Sequence, residues 1–544
     1  MTVLLETASP GADVAREALA RFAELEKAPE HVHTYRITPL SLWNAAVAGV
    51  DADDVTSLLA SHTKYPVADV VYQEIEDLMS RYGRLWLIRD SGDLVLACDD
   101  PDLLTEVAND KAVASLLGRR LSDNGFHVRD GDRGVLKQVL LSVGWPVADE
   151  AGYEEGAALE RCQFLAELRP YQVDALEAWW REGTTLGGSG VVALPCGAGK
   201  TVVALAALVQ AGTQTLVVCT TVSAIRQWIR ETVEKTSLTE DDVGEWSGLR
   251  KQIRPVTFVT YHSLTWADRD VDPDADIEVR HPNLAIFGAQ DWGLIVYDEV
   301  HLLPAPVFRA TARIQAVRRL GLTATLVRED HREGDIFSLI GPKRYDAPWN
   351  ELEGQGWIAP ATCTEIRVPM SPECRSEYSA AEPKQRHRIA ATSSSKVEVA
   401  EQLVARHPDE QILIIGQFVE QLAEIAEHLD VPLLTGRTAQ TKRDRLFGEL
   451  RSGELKVLVV SKVANFSIDL PDVSVAIQVS GQYGSRQEEA QRLGRILRPK
   501  VDGGQAHFYT LVSAGSDETG FARKRQRFLA EQGYAYSIVE WENS

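Results

Sequence analysis

The chain has 544 residues, 44% hydrophobic and 25% charged, with a formal net charge of −22 from 57 basic and 79 acidic residues. That length is too great for one core and predicts three or four domains, and the composition is that of an ordinary soluble globular protein. The acidic balance by itself argues against a polyanionic partner, yet charges are screened over about 8 Å at physiological salt, so a local basic groove can still hold phosphates. No run of 18 apolar residues occurs, and the start MTVLLETASPGADVARE lacks the basic-then-apolar order of a signal peptide. No membrane span is expected, and a cytoplasmic location is. The six cysteines (Cys98, Cys162, Cys196, Cys219, Cys363, Cys374) are scattered without a CxxC pair. This argues for a reducing compartment and against a disulfide framework, a zinc site or an iron–sulfur cluster.

Residues 1–85 read as helical, with helix starts at Thr38-Pro39 and Asp51 to Asp54 and a stop at Gly83 before the strand-like RLWLIRD. The acidic residues here read as a solvated face, and His31, His33 and His62 lack ligand spacing. Residues 86–160 alternate strand and helix signals (GDLVLACDD, PDLLTEVAND, FHVRDGD) and end in ADEAGYEEGA, which reads as a linker. From Arg161 onward strand, turn and helix repeat, which predicts a parallel α/β sheet and sets the main domain boundary.

The first unit opens with LRPYQVDALEAWW, where Arg169 and Gln172 stand about one helix ahead of a Gly-rich loop. A Gln amide carries the donor and acceptor that reading an adenine edge requires. An amphipathic helix with a polar start explains the same residues equally. Next, VVALPCGAGKTV breaks an apolar run on a Gly-rich turn and restarts it as a helix. Gly197, Ala198 and Gly199 let backbone N–H groups point inward, Lys200 supplies a cation, and Thr201 opens the helix with a hydroxyl. Such a nest binds nucleotide phosphates and Mg²⁺. The buried-strand runs TLVVCTT, VTFVTYHSL and GLIVYDEVH follow, and in an open α/β sheet ligands bind at such carboxyl ends. Asp298 is assigned to the metal, through water, and Glu299 to orienting the attacking water. In GLTATLVRED, the hydroxyls of Thr323 and Thr325 can bridge a nucleotide site to a second substrate site. Arg328, Glu329 and Asp330 follow as a compact triplet of a kind that is usually a salt-bridged turn.

Residues 340–370 read as a crossing to another domain. Beyond it Lys384, Arg386, His387 and Arg388 fit either a phosphate-contacting finger or an exposed helix. Alternation resumes at QILIIGQFVEQLAEIAEHL, PLLTG, LKVLVVSKV and VSVAIQVSG, a second domain without a phosphate loop. After Gln491, Arg492, Arg495 and Arg498 recur every third residue and share one helical face. Three like charges on one face repel unless an anion lies opposite. A triphosphate across an interdomain cleft is such an anion, and an arginine brought to it stabilises transition-state charge. Arg523, Lys524, Arg525 and Arg527 in the tail fit nucleic-acid contact or, more simply, a solvated end.

Together LRPYQ, LPCGAGKT, DEVHLLPAPVFR, LGLTATLVRED, IGPKRYDAPWNELEGQGWIA, SKV with SIDLP, and GSRQEEAQRLGRILRPK resemble the XPB-type (xeroderma pigmentosum group B) helicases of superfamily 2. The resemblance is strong from about residue 160 to 510 and weaker at YRITPLSLWNA and KYPVADVVYQEIEDLMSRYG. It implies an α/β fold with two RecA-like parallel-sheet motor domains, 161–345 and 346–544, preceded by a mixed α/β N-terminal region. Within that region, 1–85 would be the family's N-terminal domain and 86–160 a damage-recognition-like domain; 371–392 would be a small thumb. The activity implied is that of an ATP-dependent DNA helicase moving 3′ to 5′ and acting in DNA repair, with ATP and Mg²⁺ as cofactors. The implied partner is a DNA duplex with a single-stranded tail or a junction, joined in some family members by a nuclease and in others by a multi-subunit repair and transcription complex. A monomer is expected, associated with the nucleoid in a prokaryote. The resemblance marks Arg328, Glu329 and Asp330 as an unwinding triplet, Gln491 and Arg492 as coupling residues, and Asp469 as nucleotide-facing. It departs at Ala464-Asn465-Phe466, where the family has Gly-Asp-Thr, and this bears on how tightly ATP turnover is coupled to DNA. A duplex translocase, or an ATP-gated switch or scaffold subunit, is the competing reading.

Overall fold

A computed structural model describes the chain except for residues 28–30, 196, 249, 269, 273–274, 276, 316, 325–332, 348, 358–360, 462–472, 481–504, 521, 524–525, 527–534 and 542–544. The two predicted motor domains are each built on a seven-stranded sheet whose strand pairs are all parallel. In the first sheet the order is Val243–Trp246, Val256–Thr260, Thr215–Cys219, Leu294–Tyr297, Arg318–Thr323, Ser189–Ala193 and Lys343–Asp346. In the second it is Leu433–Leu434, Val457–Ser461, Ile412–Gly416, Val475–Gln478, Ala506–Ser513, Ala361–Val368 and Ala535–Glu540.

Strands such as LVVC and LIVY are apolar at every position because helices cover both faces of a parallel sheet. The pleat then sends alternate residues to opposite sides. Val192, Val217 and Val296 pack with Ala204, Leu208 and Trp228 on one face. Their neighbours Val191, Leu216, Val218, Ile295 and Tyr297 pack with Val307, Phe308 and Ile336 on the other. Every strand of this sheet therefore ends on the same edge, and its loops converge there.

Residues 1–85 are less helical than the sequence suggests. Thr2–Glu6, Glu24–Lys27 and Val32–Arg36 form an antiparallel three-stranded sheet, whose short strands carry too few alternations to stand out against the helical pattern. The helix starts fall where they were expected. The Thr38 hydroxyl accepts from the Ser41 N–H at 3.0 Å and the Asp51 carboxylate from the Asp54 N–H at 2.7 Å, each satisfying an orphan donor of the first turn. Residues 85–149 form a mixed five-stranded sheet carrying the helix Arg133–Ser142. Among the described residues no helix is long and apolar enough to cross a membrane.

That helix lies directly on the first motor domain. A Cβ added to Gly134 would meet the Ala312 carbonyl oxygen at 2.4 Å, so only glycine allows the approach. Beside it, the Asp149 carboxylate accepts from Arg133 at 2.7 Å and Lys137 at 2.8 Å, and the Lys137 ammonium also donates to Gln315 Oε1 at 2.7 Å. Burial alone would raise the Asp149 carboxyl, but the two cations outweigh it and hold it well below the usual range. The stretch read as a linker is also docked. The Ala157 N–H donates to Asp291 O and the Leu159 N–H to Gly212 O, both at 2.8 Å, so its peptide groups lie against the motor domain rather than in water.

Breaking a buried ion network from one side leaves its remaining charges without a partner, which costs about 3–5 kcal/mol. Asp149→Asn is expected to lower the unfolding free energy of the intact protein by that order in urea titration. A loss below about 1 kcal/mol would mean that the network does not hold the two units together.

Candidate nucleotide site

The strand Ser189–Ala193 runs through Leu194 into the Gly-rich loop, and the helix Lys200–Ala211 leaves it. Gly197 and Gly199 have φ of +84° and +81°, the left-handed backbone that the loop reading requires. Gly199 is also hemmed in from outside: a Cβ there would lie 2.5 Å from Gln172 Nε2. Lys200 and Thr201 occupy the first turn of the helix, where free N–H groups and the helix dipole favour an anion.

Gln172 and Arg169 brace this loop. The Gln172 amide accepts from the Arg169 N–H at 3.0 Å and donates to the Ala198 carbonyl at 2.9 Å, and the Tyr171 hydroxyl donates to the same carbonyl at 2.7 Å. The amide therefore fixes the curvature of the loop through protein groups. The Arg169 guanidinium lies 5.0 Å from the centre of the Trp357 ring and donates to the Trp357 carbonyl at 3.3 Å, joining the helix start to the crossing segment.

Asp298 follows the strand Leu294–Tyr297, two strands from the loop, and its N–H continues the ladder to Val218 O at 2.9 Å. Its carboxylate accepts from the Trp228 indole at 3.1 Å. Glu299 turns back with φ +50° and ψ +57°, a left-handed conformation that costs a non-glycine residue about 1–3 kcal/mol. The turn brings Glu299 Oε1 to 3.5 Å from Lys200 Nζ, which also reaches the Leu194 carbonyl at 3.4 Å. Enclosure pushes the Asp298 carboxyl up, and the neighbouring Glu299 charge adds to it. Two adjacent carboxylates, with one strand between them and the Gly-rich loop, supply the hard oxygen donors that a divalent cation takes.

Thr323 closes the group. Its carbonyl accepts from the Leu194 N–H at 2.9 Å and its hydroxyl lies 2.8 Å from His301 Nδ1, while His301 is 3.5 Å from Glu299 Oε2. His301 thus links the acidic pair to Thr323, and Trp228 orients Asp298; the sequence reading gave neither a role. His301 was legible as the last residue of DEVH, whereas Trp228 lies on the helix Val222–Lys235 with no local signal. Thr325, Arg328, Glu329, Asp330, Asp469, Gln491, Arg492, Arg495 and Arg498 lie outside the described residues, as do Ala464, Asn465 and Phe466. Gly199→Ala is expected to weaken binding of a fluorescent ADP analogue at least about tenfold, since a left-handed alanine costs about 1–2 kcal/mol before the clash with Gln172 is counted. Unchanged affinity would mean that the curvature of the loop does not set its grip.

The comparisons with known proteins agree with this geometry. A family model described as "ERCC3/RAD25/XPB C-terminal helicase" matches residues 352–544, one described as "Type III restriction enzyme, res subunit" matches 165–328, and one described as "Helicase conserved C-terminal domain" matches 1–122. The chain is 54% identical to "DNA 3'-5' helicase XPB" of Kineococcus radiotolerans, over 99% of its own length and 95% of that protein. It is equally 54% identical to the protein of that name from Mycobacterium tuberculosis, over 99% of its own length and 96% of the relative. The solved structure of the ATP-dependent Type ISP restriction-modification enzyme LlaBIII bound to DNA shares the fold, with a TM-score of 0.52 at 13% identity over 70% of this chain and 32% of that one. Near-complete coverage at this identity, on two parallel sheets, makes the chain a member of the XPB family of helicases.

Proposed function

We propose that this protein is an ATP-dependent DNA helicase that moves 3′ to 5′ on duplex DNA bearing a single-stranded tail or a junction. The observation that carries the reading is the convergence of Lys200, Asp298, Glu299 and Thr323 at one edge of the first parallel sheet. The relatives' printed name, DNA 3'-5' helicase XPB, supplies the substrate and the polarity.

In this mechanism the loop N–H groups and Lys200 hold the β- and γ-phosphates. The ammonium exchanges part of its attraction to Glu299 for the phosphate charge, which leaves the Glu299 carboxylate to orient a water and take its proton. Thr201 and Asp298 would hold Mg²⁺, which would supply positive charge to neutralise what develops on the phosphate oxygens. Arg495 and Arg498 are proposed to reach the triphosphate from the second domain, with Asp469 on the same nucleotide, and Gln172 with Arg169 to position the base. Thr323, Thr325, Arg328, Glu329, Asp330, Gln491 and Arg492 are proposed to relay hydrolysis to the DNA. His301 is the link from Glu299 into that set. A cytoplasmic monomer acting in DNA repair accords with this reading.

The wild type is expected to open a 3′-tailed duplex in the presence of Mg·ATP and to leave the 5′-tailed duplex closed. Lys200→Ala and Glu299→Gln are each expected to lower DNA-stimulated ATP hydrolysis by roughly 100-fold or more, as removal of one transition-state contact does. Retained hydrolysis in either variant would refute the assigned roles. DNA-stimulated hydrolysis with neither duplex opened would instead favour the translocase.

A further inference from the structure

The nucleotide-side loops leave the carboxyl ends of the strands; a second group of polar residues sits at the amino ends of the second sheet. His407 directly follows the helix Ser395–Arg406, Glu410 lies just before the strand Ile412–Gly416, and His507 is the second residue of the strand Ala506–Ser513. One ligand-type atom from each lies within 4.8 Å of the other two. His407 is buried, while Glu410 and His507 are half-buried.

A ligating histidine is oriented by a hydrogen bond at the ring nitrogen that does not bind, and each imidazole here has a hydroxyl partner able to play that part. His407 Nε2 lies 2.9 Å from the Tyr509 hydroxyl, and His507 Nδ1 lies 2.9 Å from the Thr362 hydroxyl. His407 Nδ1 is hydrogen-bonded to Glu410 Oε1 at 2.9 Å, a contact that a shared ion would replace. The ring centres of His407 and His507 are 5.0 Å apart.

We propose that His407, Glu410 and His507 form a site for one divalent transition-metal ion, with zinc as the ion that two imidazoles and one carboxylate suit best. The ion takes Nδ1 of His407, Nε2 of His507 and a carboxylate oxygen of Glu410, and water completes the tetrahedron. Bonds of about 2.0–2.1 Å set ligand atoms roughly 3.3 Å apart in a tetrahedron, and one candidate ligand atom from each residue already lies within 4.8 Å of the others. The scattered cysteines argued against a zinc site, but this ligand set contains none of them, and His507 joins it only through the fold. Because the strand Val475–Gln478 lies between the two strands involved, the ion staples a helix end and a turn to a strand across a neighbour, at the sheet edge away from the loops that gather at the carboxyl ends.

The test uses the full chain, stripped with chelator and saturated with Mg·ADP so that the acidic pair at the phosphate loop does not compete. Zn²⁺ is titrated by calorimetry and Co²⁺ by visible absorption. One ion per chain is expected, with the d–d absorption of a four-coordinate cobalt site and a higher unfolding temperature on zinc addition. His507→Ala and the near-isosteric Glu410→Gln should each abolish the cobalt band and the thermal shift. Thr362→Val, which touches no metal, should weaken zinc binding about 10–100-fold. The proposal is overturned if the wild type binds no zinc with Mg·ADP present. It is also overturned if His507→Ala and Glu410→Gln, folded by circular dichroism, bind zinc as tightly as the wild type.

Discussion

Asp298 and Glu299 stand next to each other at the end of a buried strand, where water is scarce and two carboxylates repel, and the Lys200 ammonium is what the fold sets against them. Much of the first motor domain can be understood from that arrangement. The left-handed backbone at Glu299 is unfavourable in itself, yet it aims the carboxylate back toward the lysine. A parallel sheet is what makes the encounter possible, because the phosphate loop and the acidic pair both leave the carboxyl ends of strands. Between those two strands runs Arg318–Thr323, so its last residue falls inside the charged group.

The second motor domain repeats the architecture but uses its buried lysine differently. Lys396 is fully enclosed and donates to Glu518 Oε2 at 2.8 Å and to the Val479 carbonyl at 3.1 Å, while Glu518 also accepts from the Ser513 N–H at 2.9 Å. All of its donors visible in these contacts go to fixed protein groups. A lysine committed in this way pins the ends of the strands Val475–Gln478 and Ala506–Ser513 to the helix Ser395–Arg406. Lys200 instead faces a long 3.5 Å ion pair and a weak carbonyl contact, partners that a phosphate can replace.

What could be read in the sequence follows from how local its physical cause is. Gly197 and Gly199 were legible because a nest needs left-handed backbone within a few residues, and the helix starts at Thr38 and Asp51 because a cap acts over one turn. The parallel sheets were legible because two buried faces leave uninterrupted apolar runs. Trp228 on Asp298 and Trp357 on Arg169 could not be seen, since each pair meets only after the sheet has formed. Nor could Arg133, Lys137 and Asp149, which in sequence look like the solvated charges that most such residues are. Gln172 shows the limit in another form: the sequence offered its amide for a base edge, and could not show that the same amide also braces the Gly-rich loop through the Ala198 carbonyl.

The contact at Gly134 has a mechanical meaning. Helix Arg133–Ser142 touches backbone with no side chain between, and the same helix reaches through Lys137 to Gln315, only a few residues before the strand that ends at Thr323. A tether would absorb a pull on the N-terminal region as slack. A backbone-to-backbone seat with an ionic lock has little slack, so the helix Arg133–Ser142 and the segment leading into that strand are held as one rigid piece.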